Sequence, residues 1–235
     1  MISGIPAFKP DLIVEVTSVC DRACVGCYAP NVISKGPADE LFATSPHLFM
    51  NPTVLLKEVS KFKHRLGSVA VRGGEPSRHP KLAEILSILE TVSESVIIET
   101  HGRWLLPPAI KDFKPLLDAV AISGATVKIS FDRMHGLHRE ELRAITQTLS
   151  WHYIPVLVAI TESTEEEFKR SRTLCDWMPD SAIIQQQKAI AAESLVTPII
   201  GVLTVNGTLR GHVTHKDSFV KGEILQGILD RRAIP

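Results

Sequence analysis

Residues 12–27 read Leu-Ile-Val-Glu-Val-Thr-Ser-Val-Cys-Asp-Arg-Ala-Cys-Val-Gly-Cys, a β-branched apolar run that passes directly into three cysteines. The first six residues, LIVEVT, have the composition of a strand covered on both faces, as parallel strands of α/β proteins are. Cys20, Cys24 and Cys27 therefore follow the C-terminal end of a strand, where parallel α/β architectures assemble their sites.

Outward from this stretch, strands and helices alternate. Asn51-Pro52 reads as an N-cap with proline at the first helical position, and Leu55, Val59, Phe62 and Leu66 at helical spacing predict a helix ending near Gly67. Further strands are expected at 68–72, 96–100, 127–131, 154–160 and 182–187, with a short one at 119–122. Helices are expected at 79–92, 111–117 and 137–150, and from a Ser163/Glu166 capping box to about Trp177. Within 127–131, Lys128 and Ser130 face opposite to Val127, Ile129 and Phe131. Residues 29–45 read as a long irregular connection. Residues 202–213, split by Asn206-Gly207, predict a hairpin with a two-residue turn, and 217–232 a final helix.

This rhythm predicts the α/β class and a partial (β/α)6 TIM-like barrel with a short C-terminal β-hairpin and helix. An open doubly wound sheet gives a similar pattern. Residues 1–198 are expected to form the barrel, and 199–235 a hairpin–helix extension of the same domain. With 235 residues, 44% of them hydrophobic, the chain can bury one continuous core. Its 26 basic and 26 acidic side chains cancel, so neither nucleic acid nor an anionic membrane is an expected partner. The N-terminal sequence lacks a signal-peptide pattern and no stretch is apolar enough to span a bilayer, which predicts a cytoplasmic protein. Four cysteines, three of them at 20, 24 and 27, suit a metal site in a reducing compartment rather than a disulfide framework.

Three thiolates on one loop suit either zinc or an iron–sulfur cluster. A structural zinc site wants a fourth ligand, for which only a distant histidine or Cys175 is at hand, whereas three ligands on four irons leave one iron open. A second motif, Gly73-Gly74-Glu75-Pro76, follows the second principal strand and precedes His79-Pro80. Glycines at a strand end let a ligand approach the backbone carbonyls closely, and Glu75 adds charge or fixes the loop. G-G and E-P also serve as ordinary turn dipeptides.

The C-x3-C-x2-C spacing followed by the aromatic Tyr28, with Gly73-Gly74-Glu75-Pro76 in order behind it, resembles the signature of the radical S-adenosylmethionine (radical SAM) superfamily. The resemblance extends over about 12–187. It implies one 4Fe-4S cluster on Cys20, Cys24 and Cys27, and S-adenosyl-L-methionine bound with help from Tyr28, Gly73, Gly74 and Glu75. Glu99-Thr100-His101-Gly102 and Ile129-Ser130-Phe131-Asp132 are similar to the third- and fourth-strand motifs of that family, which implies cofactor contacts for Thr100, Ser130 and Asp132. Arg139 could pair its guanidinium with a carboxylate of cofactor or substrate, with His135 and His138 beside it. Gln185 and Gln187 share a strand face and could meet a polar substrate. Cys175, inside an expected helix, reads as a structural thiol.

The resemblance further implies reductive cleavage of S-adenosylmethionine, fed by a flavodoxin- or ferredoxin-like electron donor. The expected substrate is a small biosynthetic metabolite; a peptide-modifying enzyme, a glycyl-radical-enzyme activase and a 7-deazapurine ring-forming enzyme are alternatives. The 206–224 region resembles a degenerate remnant of the SPASM/twitch-type extensions of peptide-modifying relatives. It carries no cysteine, so a second cluster is not expected. A non-catalytic zinc or redox-binding protein is the alternative from another class.

Overall fold

The computed structural model describes residues 10–24, 27, 31–132, 135–162, 165–187 and 200–212. The architecture is mixed α/β, with six α-helices and mainly parallel strand pairing among the described residues, the make-up of a partial (β/α)6 barrel. The chain divides into two compact units, one built from 10–98 and 195–235 and the other from 1–9 and 99–194.

In the first unit, β1 (Leu12–Thr17) has every residue buried except the half-buried Glu15, the strand expected from LIVEVT. It leads into β2 (Val19–Cys20), which pairs in parallel with β3 (Val32–Ile33). The expected irregular connection after the cysteines thus carries β3 and a helix, α1 (Ala38–Thr44), with Asp39 and Glu40 in its first turn. None of its residues is buried, so no apolar periodicity announced it.

Helix α2 (Pro52–Val59) is capped by Asn51, whose side chain accepts from the Thr53 N–H at 2.8 Å. It ends at Val59, well short of Gly67, and β4 (Leu66–Gly73) starts two residues earlier than the sequence suggests. Asp11 is the cause: its Oδ2 accepts from Gly67 N at 2.9 Å and Ser68 N at 3.1 Å, while Arg65 donates to the carbonyls of Ser93 and Glu90. Helix α3 (Leu82–Val92) buries Leu82, Ile85, Leu86 and Leu89 and is followed by β5 (Ser93–Thr100). Within this unit β4 is parallel to β1 and to β5.

The second unit opens with α4 (Lys114–Ser123). The strand expected at 119–122 lies inside this helix: Leu117 and Val120 are buried at helical spacing, Ile122 is 88% exposed, and Gly124 ends the helix at φ 64°. Next come β6 (Thr126–Ser130), α5 (Arg139–Trp151), β7 (Val156–Glu162), α6 (Glu165–Thr173) and β8 (Ile183–Gln187). β6 and β8 flank β7 in parallel.

Back in the first unit, β9 (Ile200–Leu203) lies parallel to β1 and β10 (Leu209–His212) runs antiparallel to β9. The connecting turn is longer than the two residues expected. Thr204 N donates to Thr208 O at 3.0 Å, Gly207 N donates to Thr204 O at 2.8 Å, and Asn206 Oδ1 accepts from Thr208 N at 3.2 Å. Gly207 takes φ 78° there. The helix expected at 217–232 and Ser163 of the expected capping box lie outside the described residues. No helix among the described residues is long and apolar enough to cross a membrane.

Candidate metal and cofactor site

The cysteine loop is held by main chain on both sides. Ahead of it, Ser18 N donates to Leu48 O at 2.9 Å, and Met50 N donates to Val16 O at 2.7 Å. Thr17, 1% exposed, donates its hydroxyl to Leu48 O and accepts from Val19 N, both at 3.0 Å. Behind it, Val32 N donates to Ser18 O and Ser34 N to Cys20 O, both at 2.8 Å. Cys20 is buried, Cys24 half-buried and Cys27 exposed, and all three are free thiols. Cys27 N donates to Cys24 O at 3.2 Å, and Asn31 Nδ2 donates to Cys27 Sγ at 3.3 Å. Burial, foremost, pushes the Cys20 thiol up to about 11, with Glu75, Asp21 and Cys24 adding to it and the Arg22 N–H opposing.

The second motif lies against the first through its backbone. Gly74 N donates to Thr17 O at 2.7 Å and Glu75 N donates to Val19 O at 2.8 Å. A Cβ on Gly73 would lie 2.3 Å from Thr17 O, and one on Gly74 would lie 2.1 Å from Val19 O. The glycines are thus required by the approach of their strand end to the segment before Cys20, a different reason from the ligand approach expected from sequence. Glu75, 1% exposed, caps the 3₁₀ turn Pro76–Arg78 by accepting from Ser77 N at 3.1 Å. Just beyond, His79 is 2% exposed and joins the segment before α2 through Met50 O, a contact sequence reasoning missed.

These observations test the fit of an iron–sulfur cluster. Three free thiols lie within eight residues of sequence directly after β1, and a motif that admits no side chain at two successive positions is hydrogen-bonded to the segment that precedes them. The donor set fits a cluster with three protein ligands.

In the second unit the expected cofactor residues have varied surroundings. Thr100, 3% exposed, accepts from Gly102 N at 3.0 Å and from Trp104 Nε1 at 3.1 Å, so its hydroxyl organises the turn after β5. The Asp132 side chain is fully covered and accepts from His135 N at 3.0 Å and from its ring Nδ1 at 2.8 Å. Ser130, half-buried, ends β6 in register with Ala159. Arg139 pairs with Asp176 at 2.9 Å and lies over the Trp177 ring, 5.3 Å from its centroid. His138 precedes α5 and donates its backbone N–H to Glu141 Oε2 at 2.8 Å. Gln185 and Gln187 stand in register with Ile160 and Glu162. Cys175 is fully buried, its thiol pushed up to about 12 by burial above all, in keeping with a structural role. Tyr28 lies outside the described residues.

Sequence reasoning also missed an ion pair in this unit. Lys128, 3% exposed, donates to Glu99 Oε1 at 2.6 Å. Its available signal was a lysine between two apolar residues of a strand otherwise suited to the core.

The sequence model of the radical SAM superfamily matches residues 14–175. No curated protein matches the chain. Among solved structures, native anSMEcpe with bound AdoMet is similar at a TM-score of 0.50 and 13% identity, over 79% of this chain and 54% of that one. Streptococcus suis SuiB bound to S-adenosylmethionine is similar at a TM-score of 0.42 and 12% identity, over 86% of this chain and 58% of that one. The chain thus spans little more than half the length of these structures. At such identity the likeness is one of fold.

Proposed function

From membership of the radical SAM superfamily, to which this chain belongs, we propose that it is an enzyme that cleaves S-adenosylmethionine reductively and uses the resulting radical to take a hydrogen atom from its substrate. The observation that carries this reading is the joining of two motifs some fifty residues apart in sequence: Gly74 and Glu75 are hydrogen-bonded to Thr17 and Val19 immediately before Cys20. Cys20, Cys24 and Cys27 would hold a 4Fe-4S cluster, which when bound supplies the electron that splits S-adenosylmethionine into methionine and a 5′-deoxyadenosyl radical.

The chain's own part is to hold and to shield. Buried Cys20 anchors the loop, while half-buried Cys24 and exposed Cys27 leave its far side open to ligand. The strand end at 73–75 contributes main chain unobstructed by side chains, and buried Glu75 fixes its exit. Ser130 remains the proposed cofactor contact on β6. Thr100 and Asp132 act there through the turns they stabilise. Arg139, already paired with Asp176, would have to exchange partners to serve as a carboxylate fork.

A peptide is the preferred substrate, ahead of the small metabolite. The AdoMet-bound form of anSMEcpe shares the fold, and the same protein is solved with a bound Cp18Cys peptide. An extension of SPASM type beyond residue 199 would accord with a peptide, and a flavodoxin- or ferredoxin-like protein would supply the electron.

The test is anaerobic reconstitution with iron and sulfide, followed by reduction and assay of 5′-deoxyadenosine. Cys20→Ala, Cys24→Ala and Cys27→Ala should each lose the cluster and the product. Iron-free, zinc-loaded protein indifferent to S-adenosylmethionine would overturn the reading in favour of a zinc-binding protein. Stimulation of 5′-deoxyadenosine formation by a protease-sensitive fraction of cell extract would support a peptide, and stimulation by a protease-resistant one a metabolite.

A further inference from the structure

His79 lies outside the motif residues assigned above, yet it is among the most completely engaged side chains of the first unit. It is 2% exposed. Its Nε2 lies 2.9 Å from Met50 O and its Nδ1 lies 3.0 Å from Lys81 N. A carbonyl accepts and a backbone N–H donates, so the ring is the neutral tautomer with its proton on Nε2. Phe49 and Phe42 pack edge-on against it at centroid distances of 5.6 and 6.0 Å. The ring therefore ties the segment before α2 to the turn that leaves the Gly73-Gly74-Glu75 motif.

That segment is the one that grips the cysteine loop. Met50 N donates to Val16 O, Ser18 N to Leu48 O, and Thr17 forms a bridge with Phe49. The glycine motif grips the same stretch from its other side, through Thr17 O and Val19 O. Three chain segments meet around 16–19, and the His79 side chain bonds the 48–50 segment to the turn that leaves the glycine motif.

We propose that His79 is a positioning residue for the cofactor site: by donating to Met50 O it locks the 48–50 segment and the glycine motif together around the strand end that presents Cys20. The proposal rests on the reading of Cys20, Cys24 and Cys27 as cluster ligands. Phenylalanine retains the aromatic contacts but supplies neither donor nor acceptor, whereas glutamine can place an amide donor near the position of Nε2.

The experiment compares His79→Phe and His79→Gln with Leu89→Ala, a cavity variant in α3 that lowers stability without touching the clamp. Amide exchange is read in metal-free protein, and loss of iron to a chelator after reconstitution. In His79→Phe, the amides of Ser18, Met50, Gly74 and Glu75 should exchange about tenfold faster, as loss of one buried hydrogen bond implies, and iron should leave faster by a similar factor. His79→Gln should recover most of both, and Leu89→Ala should change neither selectively. If His79→Phe does not accumulate, His79→Asn gives the same comparison, since it is too short to reach Met50 O while accepting from Lys81 N. Exchange and iron loss that merely follow thermal stability across all variants would overturn the proposal alone. Wild-type protein that takes up no iron would overturn the cluster reading and the proposal with it.

Discussion

Replacing Gly74 by alanine tests the contact on which the site is built. The added Cβ would lie 2.1 Å from Val19 O, 2.5 Å from Val19 C and 3.0 Å from Cys20 N. All three are backbone atoms, so no side-chain rotation relieves the clash. An ordinary contact begins near 3.4 Å, and the strand end must retreat by about 1 Å, enough to weaken the bonds from Gly74 N and Glu75 N. Forced overpacking costs about 1–3 kcal/mol and each weakened backbone bond about 1 kcal/mol, which together predict a loss of about 3 kcal/mol. For a chain of this size that is a fall in Tm of about 10 °C. The control is Gly36→Ala, whose Cβ would meet only Ser34 Oγ at 3.8 Å and should be nearly neutral. Calorimetry of both variants and iron content after reconstitution are the assays. Gly74→Ala with wild-type Tm and full iron content would refute the claim that the glycines serve the junction of the two motifs.

Acid should weaken the clamp at His79, whose ring burial above all lowers from 6.5 to about 4. The native state holds it neutral, so its contribution is complete above pH 6.5 and is lost as pH falls from there through 4, in total about 3 kcal/mol. Urea titrations at a series of pH values should show this loss in wild type and a flatter profile in His79→Phe; parallel profiles would contradict it. Glu99→Gln should destabilise by about 3 kcal/mol because it strands the buried Lys128 ammonium, whereas Lys128→Gln leaves the more exposed Glu99 able to hydrate and should cost less. Equal losses in denaturant titrations would argue against that asymmetry. Thr17→Val deletes a donor to Leu48 O and the acceptor for Val19 N at nearly constant volume, for an expected 1–3 kcal/mol, about as much as one or two buried groups left unsatisfied. An unchanged midpoint would show that the hydroxyl is dispensable. Cys175→Ala should lower Tm through the small cavity it leaves but retain the iron content of wild type, in contrast to changes at Cys20, Cys24 and Cys27.

Local chemistry explains which elements the sequence revealed. The β1 strand was legible to the residue because parallel pairing on both sides leaves an unbroken apolar run, and α2 was legible at its start because Asn51-Pro52 is a cap that acts locally. Its end was not, since a carboxylate more than fifty residues away, on Asp11, draws Gly67 and Ser68 into a strand. The same holds at 119–122, where the composition suits a strand and only the burial of Leu117 and Val120 on one helical face decides for α4. In the site, the cysteines and glycines were visible as motifs, but their mutual contact was not. The partners of Lys128 and His79 were equally hidden, each lying on a different segment.

The glycine motif changes meaning once its neighbours are known. From sequence, two bare positions at a strand end are an opening for a ligand; in the fold, Thr17 O and Val19 O stand within 2.3 Å of where each Cβ would be, so much of that opening is occupied by the protein itself. The two readings are compatible through geometry. The bonds from Gly74 N and Glu75 N fix this strand end against the segment before Cys20. A cofactor bound there would meet a surface whose position is set by the cluster loop, and the loop in turn is set by 48–50 and His79. Cluster assembly and cofactor affinity should therefore be coupled in this protein, because a change that loosens the junction at 17–20 acts on both.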